Sequence, residues 1–235
     1  MRVGFTVAVL GTLLATSPIQ AQVLLTDNFE SDPAALNPAG LVNWDVFGTV
    51  DVVQSGSFSI DCVGGIGRCV DLDGSATTST LPGPRGITTK DAYTFMAGDR
   101  MRISFQVSGN QRNGVNDSFF TNLIFGSNTD FASYVGTGVF GGVFSTSGTF
   151  ASTFSAQTNI LGTDPFVASS FEFVAAQAGS LKFALGTFSA DNIGPILDNV
   201  VIERFAASSV PEPSTLALLG LGVAGLAAAR RRRTA

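Results

Sequence analysis

Residues 100–107, Arg100-Met101-Arg102-Ile103-Ser104-Phe105-Gln106-Val107, decide the fold class. Apolar and polar residues alternate. As a strand, the segment puts Met101, Ile103, Phe105 and Val107 on one face and Arg100, Arg102, Ser104 and Gln106 on the other. A helix would scatter the same apolar residues around its circumference. The pattern returns at Leu181, Phe183 and Leu185, which alternate with Lys182, Ala184 and Gly186. It returns again at Ile196, Asp198, Val200 and Ile202, read as one face of a final strand. Turn signals separate these runs: Gly64-Gly65, Pro82-Gly83-Pro84, Gly109-Asn110, Gly141-Gly142 and Gly162-Thr163-Asp164-Pro165. Many short strands with frequent turns, and no βαβ pattern, predict an all-β fold: an antiparallel β-sandwich, jelly-roll-like. Residues 136–158, rich in Gly, Ser, Thr and Phe, fit either strands with long loops or a surface segment.

Composition agrees and narrows the chemistry. The 235 residues make room for one domain of ordinary size. Charged residues are 13%, with 27 Gly and 20 Phe, which suits short strands and tight turns. There is no histidine, which removes His-dependent Ser and Cys triads and His-ligated zinc. A bound metal would need oxygen ligands, which points to calcium. Residues 22–208 hold eight Lys or Arg and seventeen Asp or Glu, a net charge of −9. Counterion release needs a basic surface, so nucleic acid is not an expected partner. No Gly-x-Ser-x-Gly elbow or phosphate loop is present. No pair among the seventeen acids stands out as a glycosidase pair, so the body reads as non-catalytic.

The two ends read as addresses. Residues 1–21 carry an early Arg2, an apolar stretch from Val3 to Ala15 and a small terminal residue, Ala21. That is a secretory signal peptide, cut after Ala21 by signal peptidase. Residues 209–235 contain Val210-Pro211-Glu212-Pro213-Ser214, an apolar run from Leu216 to Ala229, and Arg230-Arg231-Arg232-Arg233. A run of 14 residues makes a helix of about 21 Å, a marginal span for a bilayer core of about 30 Å. The arginines stay cytoplasmic by the positive-inside rule, leaving residues 22–208 outside the inner membrane.

This tripartite tail resembles the PEP-CTERM sorting signal. The resemblance implies a Gram-negative, exopolysaccharide-making host and cleavage at or near Pro211-Glu212-Pro213 by an exosortase. The body would stand in the periplasm while transiently anchored, then reach the cell surface or the extracellular biofilm matrix. Export implies an oxidising compartment, where Cys62 and Cys69, which enclose six residues including Gly64, Gly65 and Gly67, form a disulfide.

Other patches are Asp27-Asn28-Phe29-Glu30, Asn43-Trp44-Asp45-Val46, Cys69 to Gly74, Gly109-Asn110-Gln111-Arg112 and Asp191 to Val200. Together they resemble the bodies attached to PEP-CTERM tails and, more loosely, galactose-binding-like jelly-roll carbohydrate-binding modules. In those modules the first and last strands lie side by side and often hold a structural calcium. The resemblance therefore makes Asp27, Glu30 and Asp198 candidate calcium ligands; Asp71 and Asp73 read either as a solvated strand edge or turn or as a second cluster. For a glycan, Trp44 reads either as core filling or as a stacking platform, and Arg112 either as a loop residue or as a ligand contact. The expected function is a non-catalytic structural protein of the cell surface or exopolysaccharide matrix. The alternative is a carbohydrate-binding module for an extracellular glycan.

Overall fold

A computed structural model describes residues 21–75, 83–125, 129–141, 144–145, 148–150, 153–189, 191–207 and 221–222. Residues Gln20–Ala207 form one compact unit. Met1–Ile19 and Ser208–Ala235 group separately, and of these only Leu221 and Gly222 are described, in helical conformation. The expected signal helix and C-terminal membrane helix thus lie outside the described residues. Among the described residues no helix is long and apolar enough to cross a membrane.

The strands in chain order are β1 (Ala21–Asp27), β2 (Ala35–Leu36), β3 (Trp44–Phe47), β4 (Asp51–Gln54), β5 (Arg68–Asp71), β6 (Arg85–Thr89), β7 (Tyr93–Phe95) and β8 (Arg100–Ser108). They continue with β9 (Asn116–Phe125), β10 (Thr129–Thr137), β11 (Phe144–Ser145), β12 (Gly148–Phe150), β13 (Thr153–Leu161), β14 (Val167–Ala175), β15 (Gly179–Thr187) and β16 (Ile196–Phe205). Sheet A runs β11-β10-β14-β8-β16-β5-β4-β2, with β1 also on β16 and β12 on β10. Sheet B runs β13-β9-β15-β6-β3, with β7 also on β15. Every strand pairing is antiparallel, so the all-β antiparallel expectation holds. Within residues 136–158 the described parts are largely strand, from the end of β10 to most of β13.

The alternation of β8 does what its sequence dictates. Met101, Ile103, Phe105 and Val107 enter a core shared by both sheets. Arg102 on the opposite face meets Glu172 of β14 and Glu203 of β16 as cross-strand partners. The core is built largely from phenylalanine. Phe95, from the sheet B side, sits edge-on to Phe173 of sheet A at 5.5 Å between centroids, and Phe105 meets Phe119 at 5.3 Å. Such aromatic pairs contribute about 1 kcal/mol each beyond the area they bury.

The final strand departs from its predicted face. Its pairing with β8 shifts register between Asp198 and Val201, and Asn199 has φ +51°. This bulge changes the parity of the strand. Leu197, Val200 and Ile202 enter the main core, whereas Ile196 joins a second cluster with Val53, Ile60, Cys62 and Cys69. Ile196, Asp198, Val200 and Ile202 therefore do not share one face. Cys62 and Cys69 are joined as a disulfide, with Cα atoms 5.5 Å apart.

Candidate functional site

The outer face of sheet B is where the fold sets exposed chemistry on a rigid platform. Along β9, Phe119, Leu123 and Phe125 point into the core, so Phe120, Asn122 and Ile124 point out. The strand registers then place Phe47, Gly86, Gly186, Phe120 and Gln157 in one row across β3, β6, β15, β9 and β13. The two glycines let the rings lie down over the sheet. A Cβ on Gly186 would meet the Phe120 ring at 2.6 Å and the Phe47 ring at 3.1 Å, as well as the Arg85 carbonyl oxygen at 2.2 Å. Phe47 and Phe120 stack with centroids 6.4 Å apart, and Phe188 adds a third ring 4.9 Å from Phe120. Phe120 is wholly covered, while Phe188 is 49% exposed.

The next row along the face is polar apart from Ala184: Asp45, Thr88, Ala184, Asn122 and Ser155. Lys182 Nζ reaches to 3.7 Å from Asp45 Oδ2. Asn122 Oδ1 is buried without a hydrogen-bond partner. A ring pad beside carboxylate, amide, hydroxyl and ammonium groups can stack an apolar face and hydrogen-bond its edges.

The residues singled out from sequence fall elsewhere. Trp44 is wholly buried, with its indole N–H donating to Asp27 Oδ2 at 2.8 Å. A ring with no open face cannot serve as a sugar platform, so Trp44 is core filling. Arg112 is tied to the Asp71 carboxylate. Its loop is fixed by Asn110, which is 1% exposed and donates to Asp117 Oδ2 at 2.8 Å.

Asp71 and Asp73 likewise turn inward. Asp71 Oδ1 accepts from the N–H of Gly194 at 3.0 Å, and burial pushes its pKa up to about 8 against the pull of Arg112. Asp73 accepts from buried Arg85 and, through Oδ2, from the N–H groups of Asp191 at 2.9 Å and Asn192 at 3.0 Å. Both acids hold loops against strand ends rather than lining a solvated edge.

Asp27, Glu30 and Asp198 are brought together by the pairing of β1 with β16, where Asp27 stands opposite Val200. Burial raises the Asp198 pKa to about 6, and the charges of Glu30 and Asp27 add to that rise. Yet each carboxylate is engaged by N–H donors. Asp27 Oδ1 takes Phe29 N–H at 2.8 Å and its Oδ2 takes the Asn43 amide at 2.9 Å. Glu30 Oε1 takes Arg68 N–H at 2.6 Å, and the Asp198 oxygens take Val63 and Asn199 N–H at 3.1 and 2.7 Å. Among the described residues no group of three acids or cysteines is placed to hold a metal ion.

Sequence reasoning missed the outer row. Its signal was the doublet Phe119-Phe120, which in a strand must put one ring on each face, and the register-matched Gly86 and Gly186.

The chain aligns over most of its length with several solved structures of differing closeness. A cyclase from Fischerella sp. TAU superposes with a TM-score of 0.52 at 11% identity, over 81% of this chain and 100% of that one. A xylan-binding domain from Paenibacillus barcinonensis gives 0.45 at 14% identity, over 81% and 99%. A family 11 carbohydrate-binding module from Clostridium thermocellum gives 0.26 at 15%, over 81% and 98%. At 11% identity the likeness to the cyclase is one of fold alone. No curated protein is similar to the chain in sequence. The C-terminal segment does match a family model: residues 209–233 are a PEP-CTERM protein-sorting motif.

Proposed function

We propose that this chain is an exported protein that an exosortase sorts and trims, leaving residues 22–208 as a non-catalytic component of the cell surface or exopolysaccharide matrix. The observation that carries the reading is the sorting motif at residues 209–233. Intact-mass measurement of protein released from the surface tests it. The mass should lack everything beyond the Pro211-Glu212-Pro213 region, and Glu212→Ala should strand the precursor in the inner membrane. Surface protein that keeps Arg230 to Arg233 would refute the reading.

A second reading is favoured by the ring pad on sheet B. Half-exposed Phe188 over Phe120, with Asn122 and Asp45 in the next row beyond Phe120 and Phe47, suits a flat sugar ring better than a charged or wholly apolar ligand. In this reading the body holds an extracellular polysaccharide. Stacking on an aromatic ring contributes about 1 kcal/mol, so Phe188→Ala should weaken binding on a glycan array several-fold without changing the melting temperature by more than a few degrees. Equal array signals from both proteins would remove the pad from the account.

A further inference from the structure

Removal of residues 1–21 would make Gln22 the first residue, and the structure places an arginine on its side-chain amide. Gln22 and Arg204 are direct cross-strand partners in the β1–β16 pair. Arg204 Nη2 donates to Gln22 Oε1 at 2.6 Å, and its Nη1 donates to the Thr94 carbonyl at 3.2 Å, which fixes the guanidinium at that end of the sandwich. Glu203, the acid on the same strand, is bonded to Arg102.

We infer that Gln22, once freed by signal-peptide cleavage, cyclises to a pyroglutamyl N-terminus with Arg204 as the group that activates its amide. The inference rests on cleavage after Ala21. The α-nitrogen attacks Cδ of its own side chain, and the new C–N bond closes a five-membered lactam. Negative charge developing on Oε1 is met by the Arg204 donor, a charge-assisted hydrogen bond aimed at the atom that needs it. The bond from Cδ to Nε2 breaks, Nε2 takes up the proton that the α-nitrogen gives up, and ammonia leaves. No oxidant or other co-reactant is required. The product carries no terminal charge beside Arg204 and presents no free amine to aminopeptidases at the start of β1.

The test is mass spectrometry of the N-terminal peptide of protein collected from the cell surface, with pulse labelling to follow its formation. The expected peptide begins at residue 22, is lighter than its sequence by one ammonia and resists amine-directed labelling. Gln22→Asn, whose shorter amide cannot close the five-membered ring, should abolish the mass loss while leaving Arg204 untouched. Arg204→Met should slow cyclisation several-fold, and Arg204→Lys, which keeps a cationic donor, should recover part of the rate. A free amine on Gln22 in aged surface protein would overturn the cyclisation and leave the cleavage site standing. Equal rates for Arg204→Met and the parent would overturn the role of Arg204. An N-terminus other than residue 22 would overturn the cleavage reading and the inference with it.

Discussion

Arg85 and Asp73 form an ion pair whose side chains are 1% and 0% exposed. Arg85→Met removes the cation and leaves the buried carboxylate uncompensated, with the Asp191 and Asn192 N–H groups facing its Oδ2. Breaking a buried pair from one side costs about 3–5 kcal/mol. In a body of this size each kcal/mol lowers the melting temperature by about 2–4 °C, so the loss should be roughly 6–20 °C. Burial already pushes the Asp73 pKa up, with Arg85 opposing that rise. Without Arg85 the folded-state pKa rises further above its unfolded value. The variant should then be most stable below the ordinary carboxylate range and lose stability as pH rises toward neutrality. Adding Asp73→Asn removes the stranded charge but keeps an oxygen for the two N–H groups, so the double variant should recover much of the loss. Thermal unfolding of parent, both single variants and the double forms the cycle. A single-variant cost below about 1 kcal/mol, or a double cost equal to the sum of the singles, would refute the argument.

Three further outcomes follow from the structure. Replacing Cys62 and Cys69 with serine opens a loop closed across a sequence separation of seven, which should cost about 2.5 kcal/mol of unfolded-state constraint. Unreduced peptide mapping of the parent should show the two cysteines linked, and free alkylation of both would contradict that. Asp198, with its pKa raised from 3.8 to about 6, binds its proton more tightly when folded, so its contribution is present below pH 4 and lost as pH rises through 6. The corresponding loss is at most about 3 kcal/mol, and Asp198→Asn should flatten that part of the pH–stability curve. Because N–H donors already engage Asp27, Glu30 and Asp198, calcium and a chelator should give the same melting midpoint; a clear rise with calcium would show that an ion rearranges these acids.

The sequence by itself determined the fold class, the disulfide partners and the sorting tail, because each is a local property. Strand alternation from Arg100 to Val107 needs only the period of the backbone. The cysteines are few and close, and the tail's meaning lies in contiguous residues. Tertiary structure alone decided where the isolated side chains went. Trp44 and Phe120 are both aromatic residues in strands, but only packing shows that Trp44 is sealed against Asp27 while Phe120 lies under Phe188 on the outer face. The bulge at Asp198 and Asn199 reversed the parity of the last strand, and alternation cannot announce a residue that breaks it. Asp71 and Asp73 looked like solvated acids because the arginines that bury them come from 41 and 12 residues away. Which face a residue takes in a strand is written locally. What lies against that face depends on register between distant strands, and no single stretch of the chain contains it.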